Sequence, residues 1–172
     1  MTIRLEPLSE SHLEAVAGLL DDPDVQRFTR VPVPAPADFP RRWLSRYEEG
    51  RLDGSREAFA IVDAHDAFLG LALAPEIKRD AREAELGYIV APSARGRGVA
   101  GAGLGLLTDW AFEELGVLRI ELLIDVDNEP SKRVAERCGY IREGVLRSAH
   151  LKDDLRSDTE IWSRLPSDPA PG

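Results

Sequence analysis

The chain has 172 residues, 43% hydrophobic and 31% charged, proportions that suit one globular domain with a sizeable core. Its formal net charge of −9 and pI near 4.9 exclude a general nucleic-acid-binding surface, which needs a basic face, and would attract a cationic substrate. The single Cys138 excludes an intramolecular disulfide, the three histidines carry no zinc spacing, and no apolar run of roughly 18 residues or leader-like N-terminus is present, so the expected location is the cytoplasm.

In chain order, residues 2–7 read as a strand, with Ile3 and Leu5 alternating against polar neighbours. Ser9 or Ser11 can cap a helix whose apolar positions include Leu13, Val16, Leu19 and Leu20. The proline-rich segment 31–37 is a loop. Residues 39–50 form a second helix with Trp43, Leu44 and Tyr47 on one face. Residues 58–62 and 68–74 make a hairpin around Asp63-Ala64-His65-Asp66, and 83–90 is a further strand. The main helix covers 99–115 and stops at Gly116. A strand at 118–126 and a short helix at 130–138, ended by Gly139, follow. Residues 140–146 and 159–165 are the closing strands, and 166–172 is expected to be a disordered tail to a single domain spanning 1–165. Helices first, then strands interrupted by two helices, give an α/β or α+β sheet domain.

The most informative stretch is 84–101, AELGYIVAPSARGRGVAG. An apolar strand breaks at Pro92, the turn Arg95-Gly96-Arg97-Gly98 follows, and a helix begins. Backbone N–H groups at a helix start lack intrahelical partners, the helix dipole adds positive charge, and glycine lets the backbone approach a phosphate closely. Within the helix, Gly101 is assigned to ligand approach, and Gly103 and Gly105 to close packing on the sheet. The run Gly96-Arg-Gly-Val-Ala-Gly101 also fits the dinucleotide pattern G-x-G-x-x-G, with Asp125 placed as its ribose-binding acid. Five residues separate its first glycine from the strand, however, and too little chain follows Asp125 for more parallel strands. No Gly-Lys-Ser/Thr of a P-loop occurs.

Arg95-Gly96-Arg97-Gly98-Val99-Ala100 resembles the Gln/Arg-x-x-Gly-x-Gly/Ala signature of the GNAT acetyltransferase superfamily, and Glu85-Leu-Gly-Tyr-Ile-Val-Ala-Pro resembles the strand before it. Asn128-Glu-Pro-Ser131, followed by Gly139-Tyr140, resembles the family's second motif. Glu143-Gly144-Val-Leu-Arg147 with Asp158 is similar to the RimJ/RimL-type subgroup, which acetylates ribosomal-protein N-termini.

The resemblance implies a GNAT fold: a mixed, mostly antiparallel, splayed sheet of six to seven strands flanked by about four helices. It implies acetyl-CoA as cofactor, lying between the strand before the signature and the next one. Backbone N–H groups of Arg97, Gly98, Val99, Ala100 and Gly101 would hold the pyrophosphate, Arg95 and Gly96 would complete the cofactor-binding turn, Ile89 and Val90 would pair with the pantetheine, and Asn128 would hydrogen-bond the cofactor arm. Lys132 or Arg133 would meet the 3′-phosphate or remain on a solvated helix face.

The implied reaction is direct acetyl transfer to a primary amine in a ternary complex, the amine belonging to a protein or peptide N-terminus or to a small molecule. Ser131 is the expected proton donor to the thiolate, unless it only caps its helix; the tyrosine many relatives carry four residues later is Ala135 here. Glu85 is the expected base, unless it is simply solvated. His150 is a candidate for the acceptor cleft, whereas His12 and His65 are expected on the surface and Tyr140 in the core. Trp43 and Tyr47 either shape the acceptor pocket or belong to the core. Closing strands of this fold can pair into a homodimer. Competing readings are a non-catalytic acyl-CoA sensor or scaffold and a dinucleotide-dependent oxidoreductase.

Overall fold

In the computed structural model, which describes residues 2–171, the chain runs in order through β1 (Ile3–Pro7), a 3-10 turn at Glu10–His12, α1 (Leu13–Leu19), α2 (Pro23–Phe28) and α3 (Phe39–Asp53). It continues with β2 (Glu57–Asp63), β3 (Phe68–Lys78), β4 (Glu83–Val90), a second 3-10 turn at Pro92–Ala94, α4 (Val99–Glu113), β5 (Arg119–Asp125), α5 (Glu129–Arg137), β6 (Ile141–Lys152) and β7 (Leu155–Arg164). The strands form one seven-stranded sheet in the order β1-β2-β3-β4-β5-β7-β6. Only β4 and β5 run parallel, joined by the α4 crossover that a parallel pair requires. This mixed, mostly antiparallel sheet is the expected GNAT architecture. The doubly wound parallel sheet of a dinucleotide domain is not formed.

The sheet centre is buried on both faces. In β2, Phe59 meets Trp110 of α4 edge-on at 5.1 Å, and Ile61 packs under Gly103 of the same helix. By strand alternation Ala58 and Ala60 point the other way, toward α3. A β-carbon on Gly103 would sit 2.7 Å from Ile61 Cδ1, so this glycine permits close packing as expected. Nothing lies within 4 Å of the equivalent point on Gly105, so the packing expectation fails there. Tyr140 is a core residue, its hydroxyl 2.7 Å from Thr108 Oγ1.

Several elements differ from the sequence reading. Helix α2 was not anticipated; Asp22 caps it, its Oδ1 accepting from the N–H groups of Asp24 and Val25, and Pro23 occupies the first turn. β3 continues through Pro75 to Lys78 because the register shifts between Leu73 and Glu76, and an irregularity of this kind tolerates proline. The closing strands are longer than expected, pairing out to a tight turn at Asp153-Asp154, both with positive φ (50° and 61°). His12 is not a surface residue: its side chain is only 12% exposed, its Nδ1 accepts from the Ser9 N–H (3.2 Å), and its ring lies beside Phe68. After β7, Leu165 N–H donates to Asp168 Oδ2 (2.8 Å) and Asp168 N–H to the Leu165 carbonyl, which closes a turn in the C-terminal segment.

Candidate active site

β4 and β5 pair at only three positions, Glu83 with Arg119, Ala84 with Ile120 and Glu85 with Glu121. Beyond Glu85 the strands diverge. β4 continues to pair with β3, and β5 follows β7 through Asp125. The register shift in β3 falls opposite the point where β4 leaves β5. The gap opens into a cavity of about 1040 Å³, lined by Leu86 to Ile89 of β4, Leu122 to Asp125 of β5, and Asn128 and Ser131 at the start of α5.

The glycine turn follows β4 and the 3-10 turn at Pro92–Ala94 and leads into α4; its residues are not among those lining the cavity. Gly96 and Gly98 have φ of 71° and 78°, a left-handed conformation that glycine adopts without strain, and a β-carbon on either would meet nothing within 4 Å. Gly98 is the N-cap of α4 and supplies no side-chain acceptor. The first intrahelical bond runs from Ala102 N–H to the Gly98 carbonyl (3.1 Å), so the N–H groups of Val99, Ala100 and Gly101 have no partner inside the helix. The Val99 side chain is buried in the core and leaves only its backbone to the turn. Arg97 is exposed. The Arg95 guanidinium is bound to Asp22, Asp24 and the Val90 carbonyl. It therefore braces the turn against α2.

Ser131 and Asn128 line the cavity together. Asn128 is the helix cap, its Oδ1 accepting from Ser131 N–H (3.3 Å). The capping role weighed for Ser131 thus falls to its neighbour. The sequence reading overlooked Tyr88. Its hydroxyl is buried and has no hydrogen-bond partner among the described residues. Burial pushes its pKa up to about 12, and the nearby Ser131 hydroxyl opposes that shift without completing a hydrogen bond of normal geometry. A phenol on a strand thus lies beside Ser131, while the family tyrosine position is the fully buried Ala135.

Glu85 lies in the cavity wall where the strands part, half-buried and without a hydrogen bond or ion pair among the described residues. Burial raises its pKa, and the positive charge of Arg30 opposes the rise. His150 reaches the same cavity from β6, with its Nε2 buried and unpartnered. Burial and then Arg30 lower its pKa, which favours the neutral imidazole. His65 is exposed at the hairpin turn. Trp43 and Tyr47 line the wall in an aromatic row with Phe39, at centroid spacings of 5.8 and 6.1 Å, and Tyr47 is also a core residue. Lys152 Nζ donates to the carbonyls of Gln26 and Thr29, tying the β6–β7 hairpin to the end of α2. Lys132 is occupied by the Val126 carbonyl and Glu129, whereas Arg133 is exposed on α5.

Residues 2–141 match the family model described as "Acetyltransferase (GNAT) domain". Among curated relatives, a putative ribosomal N-acetyltransferase, YdaF, of Bacillus subtilis is 36% identical over 72% of this chain and 64% of its own length. A spermidine N(1)-acetyltransferase of Vibrio cholerae is 32% identical over 58% of each chain. The chain thus spans about three fifths of the length of these two relatives. Among solved structures, RimL, a ribosomal L7/L12 acetyltransferase in complex with coenzyme A, superposes with a TM-score of 0.87 at 20% identity over 96% of this chain and 94% of its own. Spermidine N-acetyltransferase from Vibrio cholerae, in complex with CoA and spermine, superposes with a TM-score of 0.84 at 23% identity over 96% of both chains. At these identities the structural likeness concerns the fold.

Proposed function

Because the chain belongs to the GNAT acetyltransferase family, we propose that it is an acetyl-CoA-dependent N-acetyltransferase acting on a primary amine, such as a protein or peptide N-terminus, in a ternary complex. The observation that carries this reading is the gap between β4 and β5, together with the glycine turn that follows β4 at the start of α4. The two left-handed glycines leave open the space that side chains would fill, and the α4 N-terminus offers backbone N–H groups and a favourable dipole to a pyrophosphate. The stretch of β4 at Ile89 and Val90, paired with β3 but not with β5, suits an extended pantetheine arm, and Arg133 is available to a phosphate.

Acetyl-CoA would supply the activated acetyl group as a thioester. The protein's part is to remove a proton from the amine and to hold one for the thiolate. Proton removal is assigned to Glu85, because its carboxylate is free and its raised pKa makes it a stronger base than a solvated glutamate. His150 Nε2 offers a second proton acceptor in the same cavity. Protonation of the thiolate is assigned to Ser131 Oγ, with the Tyr88 hydroxyl beside it as a proton source. An α-amine, with a pKa of about 7.7–8.0, needs little help to become neutral, whereas a lysine near 10.4 starts roughly 3.5 kcal/mol worse off.

Calorimetric titration with acetyl-CoA, with NAD⁺ and NADP⁺ in parallel, tests this reading. Stoichiometric acetyl-CoA binding, lost in Gly98→Glu, is expected. Binding of a dinucleotide alone, or of none of the three, overturns the reading.

A further inference from the structure

The charge of the acceptor end is opposite to that of the whole chain. The cavity is lined by five basic side chains, Arg30, Arg42, Arg46, Arg56 and Lys78, against three carboxylates, Glu76, Glu85 and Asp125. The formal charge of the chain is −9. Most of these groups already have partners. Arg42 pairs with Asp38 (3.0 Å), Lys78 with Glu83 and Glu76 (2.9 and 3.3 Å), and Arg56 donates to the Pro75 carbonyl (3.0 Å). Asp125 accepts from Ser157 Oγ (2.7 Å) and Asp127 N–H (2.9 Å). Two guanidiniums remain, Arg30 and Arg46, which make no hydrogen bond or ion pair among the described residues. One carboxylate remains, Glu85.

We propose that the acceptor is an amine that also bears a carboxylate, the amine meeting Glu85 and the carboxylate meeting Arg30 and Arg46. This rests on the acetyltransferase reading and names its substrate class. A polyamine needs several carboxylates along its length, and this cavity offers one that is free. Each extra ammonium would be placed against two unpaired guanidiniums, both on exposed residues of the cavity wall, and like charges repel. A carboxylate instead finds planar, always-charged donors suited to two-point contact. Arg30, Glu85 and His150 line the same cavity, and the positive charge of Arg30 acts on both proposed proton acceptors. An anion held there lies close to the reacting amine. The cationic acceptor suggested by the net charge is therefore not the one this cavity favours.

The experiment measures thiol release from acetyl-CoA with four acceptors: a peptide beginning Ser-Glu-Asp, the same peptide beginning Ser-Lys-Lys, free glutamate, and spermidine. The wild type, Arg30→Gln, Arg46→Gln and the double variant are compared, with coenzyme A binding measured for each by calorimetry. The acidic peptide or glutamate is expected to have the highest kcat/KM, and whichever leads identifies the source of the carboxylate. The double variant should lower that kcat/KM at least tenfold, chiefly through KM. It should not lower that of spermidine, and coenzyme A binding should be unchanged. Preference for spermidine or the lysine peptide, or a selectivity unchanged in the double variant, overturns the inference and leaves the acetyltransferase reading standing. Coenzyme A binding without thiol release on any amine overturns both.

Discussion

Arg95 holds Asp22 by two hydrogen bonds, 2.6 Å to Oδ1 and 3.1 Å to Oδ2, and Asp22 also caps α2. One carboxylate thereby joins the glycine turn to the helix beside the acceptor cleft. Asp22→Ala removes the cap and the ion pair together, and a cap alone contributes about 0.5–2 kcal/mol. The expected loss is about 2 kcal/mol, measured by denaturant unfolding. Arg95 lowers the pKa of Asp22 from its ordinary value. The stability it adds is therefore present above the unfolded-state pKa and is lost as pH falls through the folded-state value. The gap between wild type and Asp22→Ala should narrow in acid, and a constant gap would show that the carboxylate charge is not involved.

Gly103 and Gly105 separate packing from helix propensity. Alanine in a helix is about 1 kcal/mol better than glycine. Gly105→Ala meets no neighbour and should stabilise the fold by up to about 1 kcal/mol. Gly103→Ala must displace the fully buried Ile61, and overpacking costs about 1–3 kcal/mol. Thermal unfolding of the two variants should place Gly103→Ala below wild type and Gly105→Ala above it. The reverse order would contradict the packing of α4 on β2.

Ser131 and Tyr88 offer a second contrast. Ser131→Ala should lower turnover about 100-fold or more while changing coenzyme A affinity little, as expected of a lost proton donor. Tyr88→Phe removes a buried hydroxyl that completes no hydrogen bond among the described residues, so stability should hold or rise while turnover falls. If the two hydroxyls act as a unit, the double variant should lose little beyond the worse single one. Unchanged turnover in Ser131→Ala removes its assigned role.

Glu85 sets the expected pH dependence. Burial raises its pKa, so the acid limb of the kcat/KM profile should lie above the ordinary carboxylate range. Arg30 opposes that shift, and Arg30→Gln should move the limb to higher pH. Glu85→Gln should remove this limb and leave only the one set by the amine's own ionisation, at higher pH. If a limb survives Glu85→Gln and disappears in His150→Gln, the base is His150.

What could be read along the chain was what depends on near neighbours. The turn at Gly96 and Gly98 needs positive φ, a local property of those residues, and α4 must start after it. The alternation of Ile3 and Leu5 in β1, the apolar runs of β2 and β4 and the breaks at Pro92, Gly116 and Gly139 were legible for the same reason. Helix α2 left a faint signal in Asp22-Pro23 but is only six residues long. The outer half of β6 and β7 left almost none, because an edge strand exposed along most of its length need not alternate.

By itself the sequence determined the family motifs, the glycine turn and the presence of Glu85, Asn128 and Ser131. The tertiary structure decided what surrounds them. Tyr88 and Ser131 are 43 positions apart and become neighbours only because β4 and β5 separate beyond Glu85. Net charge is a sum over the chain and carries no position. The field in the cleft depends on which charges fold into it and which are already paired. Folding brings Arg30, Arg46 and Glu85 into one cavity with no hydrogen bond or ion pair among the described residues, an arrangement that no linear spacing encodes.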